Sequence, residues 1–166
     1  SGTVAMRRVP TAAERTEIEK LVRAAYTKNK IAAASMKVLN YHNLTAIDVN
    51  SDGKAELVGS YYISPKATER HTLFFIAEKN SAGKYVFGHS EYSKIAQADV
   101  MSGDIKDIDS GIYHELLLDV LDYAGDGNGG IFTLKRSFEG TGFNAYRREN
   151  GKWVRKLESS NYHCGY

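Results

Sequence analysis

Asp48-Val49-Asn50-Ser51-Asp52-Gly53-Lys54-Ala55-Glu56 runs directly into Leu57-Val58-Gly59-Ser60-Tyr61-Tyr62-Ile63, and this passage decides how the chain is read. Oxygen-bearing side chains at alternate positions ahead of a glycine describe a backbone curling around one point, with Gly53 allowing the sharp bend at the sixth position. Side-chain oxygens of Asp48, Asn50 and Asp52, the Lys54 carbonyl and a closing Glu56 carboxylate make a donor set for a hard cation, Ca2+. The apolar, β-branched and aromatic run that follows reads as a strand. The competing reading is an Asx-rich turn whose side chains bond their own backbone and hold no metal.

An EF-hand has the same opening but needs a bidentate Glu at position twelve, where this chain has Gly59, so that reading fails. A ninth residue that closes the cage and leads into a strand resembles the calcium loops of FG-GAP and VCBS repeats, the integrin-type propeller modules. Their pattern is Asp-x-Asp/Asn-x-Asp-Gly-x-x-Asp. The resemblance covers little more than one repeat, and Glu56 replaces the commoner Asp. It implies Asp48, Asn50, Asp52 and Glu56 as side-chain ligands and Lys54 as a main-chain ligand of one structural calcium ion.

The rest of the chain suits a mainly β (α+β) domain spanning residues 1–166, long enough for a real core. Thr11 as N-cap, Glu14 as its capping-box partner and the Ile18-Leu21-Val22-Ala25 stripe predict an amphipathic helix over 11–30. Residues 31–38 fit a helical extension or a strand equally well. Beyond them, short Val/Ile/Tyr/Phe-rich runs alternate with Gly, Asn, Ser and Asp clusters. A first four-stranded meander is expected over 42–92, with strands near 42–47, 55–63, 72–78 and 85–92. A second is expected over 115–158, with strands near 115–121, 131–138, 143–148 and 153–158.

Shifting the sequence by 74 positions sets Asp48 on Asp122, Asp52 on Asp126, Gly53 on Gly127 and Leu57 on Ile131, as an internal duplication would. Asn50 then falls on Ala124 and Glu56 on Gly130, so the second loop lacks two ligands and is expected to be metal-free. Two meanders are too few to close a propeller, which needs about four blades. Two packed sheets with the helix on one face or end are favoured over one continuous sheet or pairing with another chain.

Net charge of +2 with 25% charged residues gives no basis for nucleic-acid binding. No run of 18 apolar residues marks a transmembrane segment, and Ser1-Gly2-Thr3 carries no signal-peptide pattern. Cys164 is the only cysteine, which rules out an internal disulfide. A loop of this charge should bind calcium at about 10⁻⁴ to 10⁻³ M, which favours an extracytoplasmic, periplasmic or secreted setting.

Residues 104–111 hold three further acids but no glycine at the sixth position, and read as a solvated connector. His42, His71, His89, His114 and His163 lack zinc-ligand spacing, and His163-Cys164 reads as tail. No nucleophile elbow, zincin or P-loop pattern occurs. These features predict a non-catalytic calcium-stabilised binding module for an unidentified protein or carbohydrate. The alternative is a carbohydrate-active enzyme or enzyme inhibitor with an aromatic-lined cleft drawing on Glu69, Glu78, Glu91 or Glu115.

Overall fold

The computed structural model describes residues 7–100, 108, 114–136 and 140–162. Helix α1 (Ala12–Lys28) begins where its capping box closes: the Glu14 N–H donates to Thr11 Oγ1 at 3.2 Å and the Thr11 N–H to Glu14 Oε2 at 2.8 Å. It ends two residues short of the expected 30. The Asn29 N–H and side-chain amide both donate to the Ala25 carbonyl, and Lys30 turns left-handed at φ 63°. The undecided stretch 31–38 holds a 3₁₀ turn, Ala33–Met36, in place of a helical extension or a strand.

The β body forms two antiparallel meanders. In sheet A, β1 (Arg7–Arg8), β2 (Asn40–Ile47), β3 (Glu56–Lys66), β4 (Glu69–Lys79) and β5 (Tyr85–Ala96) lie in chain order. The first unit is therefore five-stranded where four strands were expected, because Arg7 and Arg8 pair with Ile47 and Ala46 across the open edge of β2. Two residues are too few to show a period. A single-turn helix α2 (Gln97–Val100) follows β5. Sheet B contains β6 (Glu115–Leu121), β7 (Gly130–Arg136), β8 (Gly140–Glu149) and β9 (Lys152–Tyr162), also in chain order. Several strands outrun their predicted limits. Polar ends such as Glu69-Arg70 stay in the ladder because backbone groups pair whatever their side chains.

Strand alternation sends successive residues to opposite sheet faces, and in sheet A both faces are covered. One carries Leu57, Tyr61, Leu73, Phe75 and Tyr85 against Ile18, Val22 and Tyr26 of α1. The Tyr26 hydroxyl sits 3.2 Å from the Tyr61 carbonyl and 3.1 Å from the His71 carbonyl, giving this fully buried ring a polar partner. The other face carries Ile47, Val58, Phe74 and Ile76 against Ile131, Tyr146 and Trp153 of sheet B. The layers thus run α1, sheet A, sheet B. The adjacent rings Phe74 and Phe75 point opposite ways and are both covered, one by each neighbouring layer. No helix among the described residues is long and apolar enough to cross a membrane.

Candidate functional site: two acidic loops and a buried carboxylate hub

The β2–β3 and β6–β7 connections carry the two acidic loops, and they touch. The Gly129 N–H donates to the Val49 carbonyl at 3.0 Å. A Cβ on Gly129 would lie 2.9 Å from that carbonyl oxygen and 2.6 Å from Val120 Cγ1, so only glycine permits this approach.

Each loop is shaped by its first aspartate. Asp48 Oδ1 accepts from the Asp52 N–H at 3.1 Å and Oδ2 from the Gly53 N–H at 2.9 Å, while Asp52 Oδ1 accepts from the Lys54 N–H at 2.8 Å. Displaced by 74 positions, Asp122 accepts from the Asp126 and Gly127 N–H groups at 3.2 and 2.9 Å, and Asp126 from the Asn128 N–H at 3.1 Å. Gly53 and Gly127 bend at φ 78° and 83°, Ser51 and Gly125 at φ 58° and 69°. In the first loop Asn50 Oδ1 adds a bond from the Asp52 N–H at 3.2 Å. These N–H donors hold the Asp122 carboxyl below the usual carboxylate range, with the Gly127 N–H the largest contribution.

The loops differ in their cations. In the second, the Arg147 guanidinium bonds Asp126 Oδ2 and lies 5.2 Å from the Tyr123 ring centre. In the first, no described Lys or Arg forms an ion pair with Asp48, Asp52 or Glu56. Glu56 is 5% exposed, and its Oε2 accepts from the Val49 N–H at 2.9 Å. Burial pushes this carboxyl up to about 7. The charges of Asp52 and Asp48 add to the rise, and the bonds from the Val49 N–H and its own N–H oppose it.

Asp48, Asn50 and Asp52 therefore share one turn, Lys54 lies exposed at its end, and Glu56 is folded beneath it. Among the described residues no three acidic, imidazole or thiol groups already form a metal cage. The donor chemistry nonetheless suits a hard cation. A carboxylate offers about four lone-pair sites, and the backbone bonds occupy only some of them. Asn50 and the Lys54 carbonyl complete an all-oxygen set.

A second polar centre forms around Glu115, which the sequence offered only as a candidate catalytic carboxylate. Glu115 is 5% exposed, and its Oε1 accepts from the Thr133 hydroxyl at 2.5 Å, the Asn144 amide at 2.9 Å and the Tyr146 hydroxyl at 2.8 Å. Its carbonyl accepts from the Asn43 amide at 3.1 Å and from the Ser60 hydroxyl, so one residue joins both sheets. The available signal was a carboxylate in phase with the inward Leu117 of a leucine-rich strand. Glu91 shares the small cleft that Glu115 lines, but Arg155 holds it at 3.2 Å. Glu78 accepts from Trp153 Nε1 at 3.1 Å, and Glu69 pairs with His71 at 2.8 Å. Each candidate catalytic carboxylate is tied to its own neighbours.

The described histidines are spread across separate contacts. His42 stacks on His114 at 4.5 Å, while His89 packs on Tyr146 at 4.7 Å. His163 and Cys164 lie outside the described residues, as does the acidic connector apart from its buried Ile108. Comparison of the chain with protein families, curated proteins and solved structures found no match.

Proposed function

We propose that the chain is a non-catalytic binding module, acting outside the cytoplasm, whose first acidic loop takes one structural calcium ion. The supporting observation is the contrast between two loops with the same backbone bonding. The loop that lacks two ligands has Arg147 as its cation, while the loop with the fuller oxygen set carries three carboxylates, Asp48, Asp52 and Glu56, without a basic partner among the described residues. A duplicated ancestral unit accounts for the common bonding at a common spacing of 74. Asp48, Asn50, Asp52, Glu56 and the Lys54 carbonyl would hold the ion. Its charge would offset the mutual repulsion of the acids and stiffen the β2–β3 turn against the neighbouring loop. The partner would be a protein or carbohydrate. Binding function is favoured over catalysis because Glu69, Glu78, Glu91 and Glu115 each serve a structural contact.

Calorimetric titration of chelator-treated protein with calcium tests this. Calcium at about ten times its dissociation constant stabilises by about 1.4 kcal/mol, a rise in melting temperature of about 3–6 °C for a domain of this size. Asp52→Ala should abolish the response and Asp126→Ala should retain it. Absence of heat and of any melting shift at millimolar calcium would refute the metal site.

A further inference from the structure

The facing surfaces of the two sheets change character along their length. Near the acidic loops they carry Val58, Ile76 and Ile131. At the other end of the β6–β7 hairpin, where Glu115 pairs with Lys135, they enclose a cleft lined by Ser60, Thr72, Glu91, Ser93, Glu115 and Lys135. Leu73 and Phe74 give it an apolar wall. Its free volume is about 20 Å3, room for one compact group of a water molecule's size.

Acceptor atoms in and beside this cleft lack donors. The three bonds to the Glu115 side chain all end on Oε1, and no described residue bonds Oε2. Glu91 repeats the pattern: His89 and Arg155 both approach its Oε1 at 3.2 Å, leaving Oε2 without a described partner. Asn43, the partner of Ser60 across β2 and β3, gives its amide to the Glu115 carbonyl, and its Oδ1 is buried with no partner. Lys135 brings a permanent cation to the lining, yet it forms no ion pair with either carboxylate among the described residues. Glu115 is thus buried with three neutral donors and no charge partner. Buried charges are ordinarily paired, and unmatched acceptors suit a ligand that only donates.

We propose that this cleft binds a primary ammonium group at the end of an alkyl chain, as carried by a lysine side chain or a free alkylamine. Such a group has three N–H donors and no acceptor, which matches the two unbonded carboxylate oxygens and the hydroxyls of Thr72 and Ser93. Its charge meets the unpaired Glu115 carboxylate where partial burial strengthens the attraction. Leu73 and Phe74 receive the methylene stem. A quaternary ammonium offers no N–H and is too wide for the space. The site is independent of the calcium loop, because Glu115 and Gly130 mark opposite ends of the β6–β7 hairpin, and either reading can fail without the other.

Titration of the full chain with n-butylammonium chloride, followed by amide NMR at neutral pH and constant ionic strength, tests the site. The Thr72, Ser93 and Glu115 amides should shift and saturate with a dissociation constant of about 1 mM, while those of Gly53 and Gly127 stay in place. Tetramethylammonium should shift none of them. Glu91→Gln should weaken binding about tenfold, as loss of a charge-assisted bond does. Lys135→Gln removes a competing positive charge and should tighten it; at an exposed position, it supplies the reading if Glu91→Gln disturbs the fold. Tighter binding of Nα-acetyl-lysine amide than of butylammonium assigns a peptide source, and the reverse order a free amine. No saturable shift by about 50 mM amine, equal shifts with tetramethylammonium, shifts centred on Gly53, or binding that appears only after Lys135→Gln would overturn the proposal.

Discussion

Glu56→Gln isolates the electrostatic cost of the first loop. The folded protein holds the Glu56 carboxyl at about 7 against an ordinary 4.5, so between those values the native state binds the proton more tightly than the unfolded chain. Stability linked to this group therefore falls as pH rises through that window. At about 1.36 kcal/mol for each pH unit of displacement, the loss reaches about 3 kcal/mol above pH 7. The amide keeps an oxygen for the Val49 N–H but does not titrate. Its dependence on pH across the window should be weaker than the parent's, and at pH 8 in chelator it should be the more stable protein by about 1–3 kcal/mol. Urea unfolding followed by Trp153 fluorescence at pH 5, 6, 7 and 8 measures the difference directly, and other titrating groups cancel between parent and variant. Millimolar calcium at pH 8 should restore the parent and leave the variant unchanged. Parallel stability curves, or a variant weaker than the parent at pH 8, would refute the reasoning.

Other consequences concern the contacts that assemble the layers. Arg8 grips Glu14 through two bonds of 2.7 Å and, with the Thr11 N–H, holds its carboxyl down at about 2. This support is complete above pH 4.5 and is lost as pH falls toward 2. With Arg8 45% exposed and screened by solvent it amounts to about 1 kcal/mol, and Arg8→Ala should flatten the acid limb of the unfolding curve by that amount. Gly129→Ala drives a methyl group into the Val49 carbonyl and Val120, which should cost about 1–3 kcal/mol in urea unfolding and speed exchange of the Gly53 amide. Tyr146→Phe removes one of three donors to Glu115 and should cost about 1–3 kcal/mol; equal stability would mean the hub tolerates two.

Much of the site was legible because its chemistry is local. Asp48, Asp52 and Gly53 lie within six positions, and an aspartate bonding N–H groups four and five residues ahead needs no distant partner. The same holds for the second loop and for the Thr11–Glu14 capping box, whose parts sit in one turn of chain. Period-two alternation and turn residues marked all eight long strands within a few positions of their ends. The polar termini of β4 and the two-residue β1 escaped because backbone pairing alone keeps them in the sheet.

The sequence by itself determined the helix, the meander order of the eight long strands, the two loop turns and which residues share a strand face, since each depends on segments adjacent in the chain. Which face is covered, and by what, was decided by tertiary structure. The burial of Glu56, the Arg147–Asp126 pair, the Glu115 hub and the opposite coverage of Phe74 and Phe75 all need residues well apart in the chain to meet. Alternation states that two faces differ; only the packing of α1 and sheet B onto sheet A assigns a partner to each, because burial energy belongs to pairs of surfaces rather than to one strand's pattern.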